Sequence, residues 1–322
     1  MNDDMKKFLL KLLFMPVVVL CLFTFGIFFV SNQYQETYNA SIIEKIARLK
    51  SINDPKIILV GNSNLALGMN SKMLQDAVNM SVVNLGLHDG LGNAFLENMA
   101  KFNINSGDLV IVCHSDFADD DITGSLLMWI TLEYHTDLWP ILRVQDYLRF
   151  ITAYPEYWLK SFILWITLEG NKVSESDTYS RKSLNEFGDV VIRPENKREN
   201  IDKIFNLENQ KVPDINDTCI NRLNEYNKYI KSKGATLLIA GYPIGEGKFT
   251  PSAEEFDKFQ HELESRLDCE IISNYRDYLI PYKYFYDTNL HLDEKGAKIR
   301  TQQLINDIQR WQAKLQNKTG NL

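Results

Sequence analysis

From Leu12 to Val30 the chain runs for 19 residues, LLFMPVVVLCLFTFGIFFV, without a charged side chain. A helix of that length measures about 28 Å, close to the hydrocarbon thickness of a bilayer. The run therefore predicts a membrane helix, which Pro16 near its start would at most kink. Lys6, Lys7 and Lys11 precede it, and an excess of Lys and Arg marks a cytoplasmic flank. The expectation is a single-pass protein with its N-terminus in the cytoplasm and its main domain outside it. Lys45, Arg48 and Lys50 downstream reduce the asymmetry. A cleaved leader fits less well, because the run is long for a leader and Ser31-Asn32-Gln33 is not a small-x-small cleavage site.

The pattern then changes. Residues 1–33 hold the tail and the apolar run, residues 34–54 read as a short charged helical connector, and the body spans 55–316. Lys56 to Val60 (KIILV) is apolar and β-branched, follows Pro55 and ends at Gly61-Asn62-Ser63: a strand entering a turn. The residues after it, through Val78, suit a helix. Val82 to Leu85 predicts a second strand, ending in the glycine-rich stretch from Gly86 to Gly92. A helix over 93–103 leads to Gly107-Asp108 and a third strand, Leu109 to Val112. Thr218 to Ser232 reads as a helix, Thr236 to Ala240 as a fourth strand, Glu270 to Ile272 as a fifth, and residues 297–316 as the closing helix.

Near-continuous apolar strands alternating with helices imply an α/β fold with a mostly parallel sheet covered on both faces. Ligands of such sheets sit outside the carboxyl ends of the strands. Here those ends are Gly61–Ser63, Gly86–Gly90, Cys113–Asp116 and Gly241–Pro243. Residues 117–215 break the rhythm with Trp129, Trp139, Trp158 and Trp165 and then a polar portion from Ser174 to Glu199. An insertion with its own small core, a helical cap and a membrane-facing patch are all compatible with that composition. Asp119-Asp120-Asp121 reads as a solvated loop.

The formal net charge of −7 argues against a nonspecific nucleic-acid binder. Of the four cysteines, Cys21 lies in the apolar run. Cys113, Cys219 and Cys269 lack metal-site spacing; Cys219 with Cys269 could bridge in an oxidising exterior, and buried free thiols are the plainer reading. No cofactor or metal is implied. The Gly86, Gly90 and Gly92 series lacks the nucleotide-binding spacing, and His88 and His114 make no zinc set with His291.

Ser63 stands at a strand-to-helix junction, where a serine often does no more than cap the helix. What changes its reading is the stretch PYKYFYDTNLHLDEKG from Pro281 to Gly296, which carries Asp287 and His291. A serine hydroxyl becomes a useful nucleophile when an imidazole accepts its proton and a carboxylate fixes and charge-balances that imidazole. A four-residue spacing brings Asp287 and His291 to one side if the segment makes a helical turn.

These blocks resemble the SGNH/GDSL hydrolase superfamily, especially membrane-anchored members linked to cell-envelope acyl transfer. Ile57-Ile58-Leu59-Val60-Gly61-Asn62-Ser63-Asn64-Leu65-Ala66-Leu67-Gly68 is similar to the nucleophile block, Val83-Asn84-Leu85-Gly86-Leu87-His88-Asp89-Gly90 to the oxyanion-glycine block, and Asp287-Thr288-Asn289-Leu290-His291-Leu292, followed by Gly296, to the acid–base block. The resemblance implies a three-layer, flavodoxin-like α/β/α fold and a triad of Ser63, Asp287 and His291. It further implies an oxyanion site of main-chain amides at Ser63 and at Asp89 or Gly90, and a pocket drawn from Asn64, Asn84, Gly86, His88, His114, Ser115 and Asn289. Two departures stand out. The common spacing is Asp-x-x-His, one residue shorter than here, and the third block reads Cys113-His114-Ser115-Asp116 where the pattern has Gly-x-Asn-Asp. The functional expectation is an extracytoplasmic serine esterase or O-acyltransferase acting on an acylated cell-envelope glycan or polymer, with the bilayer as a partner through residues 12–30. A membrane acyltransferase is a further expected partner. The alternative is a non-catalytic envelope-polysaccharide binder or acyltransferase accessory protein.

Overall fold

The computed structural model describes residues 3–26, 30, 32–117, 124–173, 175–193, 210–247 and 250–319. The Asp119-Asp120-Asp121 run, Ser174 and the end of the polar portion, residues 194–199, lie outside the described residues. The strands are β1 (Lys56–Val60), β2 (Ser81–Asn84), β3 (Leu109–Val112), β4 (Thr236–Ile239), β5 (Ile244–Glu246), β6 (Glu270–Ile271) and β7 (Leu279–Pro281). Five of them form one sheet in the order β2-β1-β3-β4-β6, every pair parallel, while β5 and β7 pair separately. This is a doubly wound order, compatible with a flavodoxin-like fold, and its direction reverses between β1 and β3.

The centres of the main strands are apolar because both faces are covered. Successive side chains point to opposite faces. Ile58, Val60, Val83, Val110, Val112 and Ile239 accordingly enter one core cluster, and Ile57, Leu59, Val82, Ile111 and Leu238 the other. The helices are α1 (Asp3–Phe25), α2 (Ile42–Ser51), α3 (Ser63–Ala66), α4 (Ser71–Val78), α5 (Asn93–Ala100), α6 (Ser125–Leu132), α7 (Val144–Thr167), α8 (Asp217–Ser232), α9 (Ala253–Arg266) and α10 (Glu294–Thr319). The first cluster is closed by α2 and α5 to α9, through residues such as Ile46, Phe95, Met128, Phe150, Leu223 and Phe259. The second is closed by Leu74 of α4 and by Leu304, Ile305 and Ile308 of α10.

Three expectations are corrected. The helix expected from Ser63 to Val78 is two helices, since Gly68 and Asn70 interrupt it and the Asn70 side chain caps α4 by accepting from the Met73 amide. Residues 34–54 are not a bare connector: Tyr34, Tyr38, Ile42, Ile46 and Leu49 are buried in the sheet's own cluster. Among the described residues of 117–215 there is no separate core either. Trp129, stacked on Phe150 at 4.0 Å, joins Tyr157 and Val190 in that same cluster. Both segments converge on the sheet's C-terminal edge, where Thr37 bridges to Ser180 and the Val190 amide donates to Ala66 O at 2.7 Å.

The helix that carries the apolar run starts before the run itself. α1 begins at Asp3, includes Lys6, Lys7 and Lys11, and stops at Phe25. Gly26 and Val30 are buried against the body, with the Trp158 indole filling the space a Cβ at Gly26 would need. Among the described residues no helix is long and apolar enough to cross a membrane. Between Phe8 and Phe25, however, α1 carries Lys11 as its one charge and exposes large apolar side chains such as Leu10, Leu13, Phe14, Met15 and Leu20. The four cysteines are free thiols, those of Cys113 and Cys219 buried.

A titratable group is folded into the aromatic cluster. Glu133 follows α6 with a φ of +40°, and its Oε1 accepts from the Tyr34 amide at 3.1 Å and the Tyr157 hydroxyl at 3.0 Å. Burial outweighs these bonds and pushes the Glu133 carboxyl up to about 7. Because the folded value exceeds the unfolded one, the contribution is complete below the ordinary value of 4.5 and is lost as pH rises through about 7. Stability is expected to fall across that window by up to about 3 kcal/mol. Chemical denaturation at stepped pH checks this: Glu133→Gln should flatten the decline, and an unchanged slope would contradict it.

Candidate active site

The position of Ser63 is built by the turn after β1. Gly61 is needed there, since a Cβ would lie 2.9 Å from Leu65 Cδ1 and 3.0 Å from Cys113 O. Asn62 caps α3: its Oδ1 accepts from the Asn64 amide at 3.0 Å and from Asn64 Nδ2 at 2.6 Å. Ser63 is thus the first residue of α3, with an amide that the helix itself does not use. Arg300 of α10, 1% exposed, clamps the turn from behind by donating to Asn64 O and to Asn64 Oδ1 at 2.7 Å.

Ser63 Oγ lies 2.8 Å from His291 Nε2, and His291 Nδ1 lies 2.8 Å from Asp287 Oδ1. With the imidazole proton on Nδ1, facing the carboxylate, Nε2 is the acceptor for the serine hydroxyl. No helical turn makes the four-residue spacing work. Phe285 and Leu292 form an antiparallel bridge, the Tyr286 amide donates to His291 O at 3.0 Å, and Thr288 Oγ1 accepts from the Leu290 and His291 amides at 3.1 Å. The extra residue relative to Asp-x-x-His is taken up in this closed loop.

Tyr179, from the middle segment, completes the relay. Its hydroxyl donates to Asp287 Oδ2 and lies 3.0 Å from His291 Nδ1, and Tyr286 OH donates to Tyr179 OH at 3.3 Å. Burial pushes the Asp287 carboxyl up, but the bonds from His291, Tyr179 and Tyr286 more than offset it and hold the group below the ordinary carboxylate value. Burial and the neighbouring carboxylate push the Tyr179 phenol well above its ordinary value, so it remains a donor. Tyr179→Phe should lower turnover about tenfold, the scale of one hydrogen bond to a charged group. A pH–rate series on the variant checks this: turnover should fall without loss of the fold, and unaltered turnover would remove Tyr179 from the relay.

Ser63 and His291 open into a cavity of about 560 Å³ shared by Tyr38, His88, Asp89, Tyr179 and Asn289. The Asp89 carboxylate is turned aside, its Oδ1 accepting from Asn62 Nδ2 at 2.6 Å. The Asp89 amide heads a short 3₁₀ turn (Asp89–Leu91), whereas the Gly90 amide donates to His88 Nδ1 at 2.9 Å. Gly90 is therefore engaged, and Asp89 is the loop amide left by the turn. Accepting at Nδ1 places the proton of a neutral His88 on Nε2. Desolvation lowers the His88 pKa, more than nearby Asp89 raises it, which favours that neutral ring.

The other residues singled out in the sequence are distributed as follows. Ser115 Oγ accepts from Asn62 Nδ2 at 2.7 Å, beneath the turn. Asn64 and Asn84 are fully buried braces; Asn84 Nδ2 donates to Leu65 O at 3.0 Å and to Asp189 Oδ1 at 2.8 Å. Gly86 permits a close approach, since a Cβ there would meet Ala66 N at 2.6 Å. His114 is buried with its Nε2 2.8 Å from Glu97 Oε1, in a network that includes Arg222, and does not line the cavity. Sequence reasoning missed Tyr179, Tyr38 and Glu175, which lie in segments with no periodic signal to mark them. No protein-family model, curated protein or solved structure matches this chain.

Proposed function

We propose that this chain is a membrane-anchored serine esterase or O-acyltransferase of the SGNH type, acting on an acylated cell-envelope glycan or polymer. The observation that carries the reading is the Ser63–His291–Asp287 relay, two contacts of 2.8 Å each, the first between residues 228 positions apart, opening into one cavity. In the mechanism, Ser63 Oγ attacks an ester carbonyl as its proton passes to His291 Nε2. Asp287, held by Tyr179, stabilises the imidazolium. The tetrahedral oxyanion is met by the Ser63 and Asp89 amides, and neutral His88 Nε2–H supplies a side-chain donor where the family's Asn is replaced by Ser115. Collapse expels the first alcohol, protonated by His291. Water or a second hydroxyl, deprotonated by His291, then attacks the acyl-enzyme and restores Ser63.

Anchoring is supported by the exposed apolar surface of α1 and by Lys6, Lys7 and Lys11 at its N-terminal end, which favour a cytoplasmic N-terminus. The downstream cations are absorbed by the body: Lys45 is buried, the Arg48 Nε donates to Val82 O at 2.9 Å, and Lys50 lies 4.7 Å over Phe102. The accessory-protein reading is favoured by one observation, the occupation of Ser115 by Asn62 instead of the cavity. Full-length protein supplied with a short-chain acyl ester separates the two. An enzyme releases acid, or acylates an added glycan, in proportion to its concentration; an accessory protein binds the glycan without turnover.

A further inference from the structure

The outer surface of α7 carries a second apolar feature, independent of the catalytic cavity. Round this helix the side chains fall into four rows at 3.6 residues per turn. Asp146, Phe150, Ala153, Tyr157 and Ser161 are buried in the body. Next come Tyr147, Tyr154, Trp158 and Trp165, all half-buried. The third row is Val144, Leu148, Ile151, Leu159, Ile163 and Ile166, each at least 50% exposed and Val144 91% exposed. The fourth is polar, with Gln145, Arg149, Thr152, Glu156 and Lys160 open to solvent. The apolar row is about 33 Å long, and an exposed feature of that extent marks an interaction surface, whereas scattered apolar residues do not.

What covers it is indicated by its neighbour. The aromatic row joins α7 to the end of α1: the Phe25 and Trp165 rings are 6.3 Å apart, and the Trp158 indole packs on Gly26. The apolar row thus continues the exposed apolar surface of α1. It is bordered on that side by Trp and Tyr and on the other by Arg149 and Lys160. An apolar face flanked by aromatic residues on one side and by a charged row on the other, here with Lys160 paired to Glu156 at 2.9 Å, is the side-chain arrangement of a helix lying in a membrane interface.

We propose that α7 lies flat in the headgroup–acyl boundary of a phospholipid bilayer, its Leu/Ile row in the acyl region, so that the catalytic body is held against the membrane surface. This rests on the anchoring of α1 given above. A second copy of the chain or another protein covering the row is the competing outcome, and neither accounts for the continuity with α1.

The test places a photoreactive diazirine amino acid at Leu148, Leu159 or Ile163 of the full-length chain, reconstituted in phosphatidylcholine–phosphatidylglycerol vesicles. Thr152 and Glu156 serve as polar-row controls and Leu13 as a reporter for α1. After irradiation, phospholipid adducts are expected at the three apolar-row positions and at Leu13, with water adducts at the controls. Lipid at Leu13 with water at the α7 row overturns the docking and leaves the anchor standing. Crosslinks from the row to a second copy also overturn it. Absence of lipid adducts at Leu13 overturns the anchor and the docking together.

Discussion

Alanine at Ser63 or at His291 is expected to lower acyl-ester turnover by about three or more orders of magnitude, because nucleophile and base act as a unit. The double variant should be scarcely worse than either single one, since removing Ser63 leaves His291 no proton to accept. Asp287→Asn should also be severe: an amide cannot stabilise the imidazolium, and its NH₂ invites the wrong tautomer. The fold should survive these changes. The main-chain bonds that hold the acid–base loop, from Tyr286 to His291 O and from His291 N to Thr288 Oγ1, do not involve the imidazole. Steady-state kinetics with circular dichroism on the same samples measures both halves. Turnover retained by Ser63→Ala would exclude the serine mechanism.

The largest effect on stability is expected at the opposite end of the same strands. Lys56 Nζ lies 2.8 Å from Asp108 Oδ2, with both side chains at 0% exposure. The carboxylate also accepts from the Lys56 amide at 3.0 Å and the Asn105 amide at 2.8 Å, so it ties β1 to the turn before β3. Asp108→Ala leaves an ammonium buried without its counterion and two amides without acceptors. It should cost about 3–5 kcal/mol. Lys56→Met combined with Asp108→Ala should recover part of the loss, because it removes the stranded charge. Urea denaturation of Asp108→Ala, Lys56→Met and the double variant checks this, and additive losses would show that the two groups do not act as a pair.

The strands were legible because a buried parallel strand must be apolar on both faces, which leaves a short continuous run such as Ile57–Val60 or Leu109–Val112. Ser63, Asp287 and His291 were legible because the relay needs those residue types and the strand-end context narrowed the choice. Tyr179 was not, since it meets Asp287 across 108 positions of sequence and a tyrosine in a polar stretch carries no local pattern. The role of Asn84 was misread for a related reason: its partners Leu65 O and Asp189 are brought to it by the fold. Hydropathy alone does not separate the apolar residues of the first run that face outward, such as Leu20, from those packed against the body, such as Val30.

Reaction of the full-length protein with a fluorophosphonate, followed by peptide mass spectrometry, tests the central claim most directly. A single phosphonyl adduct is expected on Ser63, lost in His291→Ala although that variant keeps its serine. An unlabelled Ser63 in the folded protein, or equal labelling with and without His291, would contradict it.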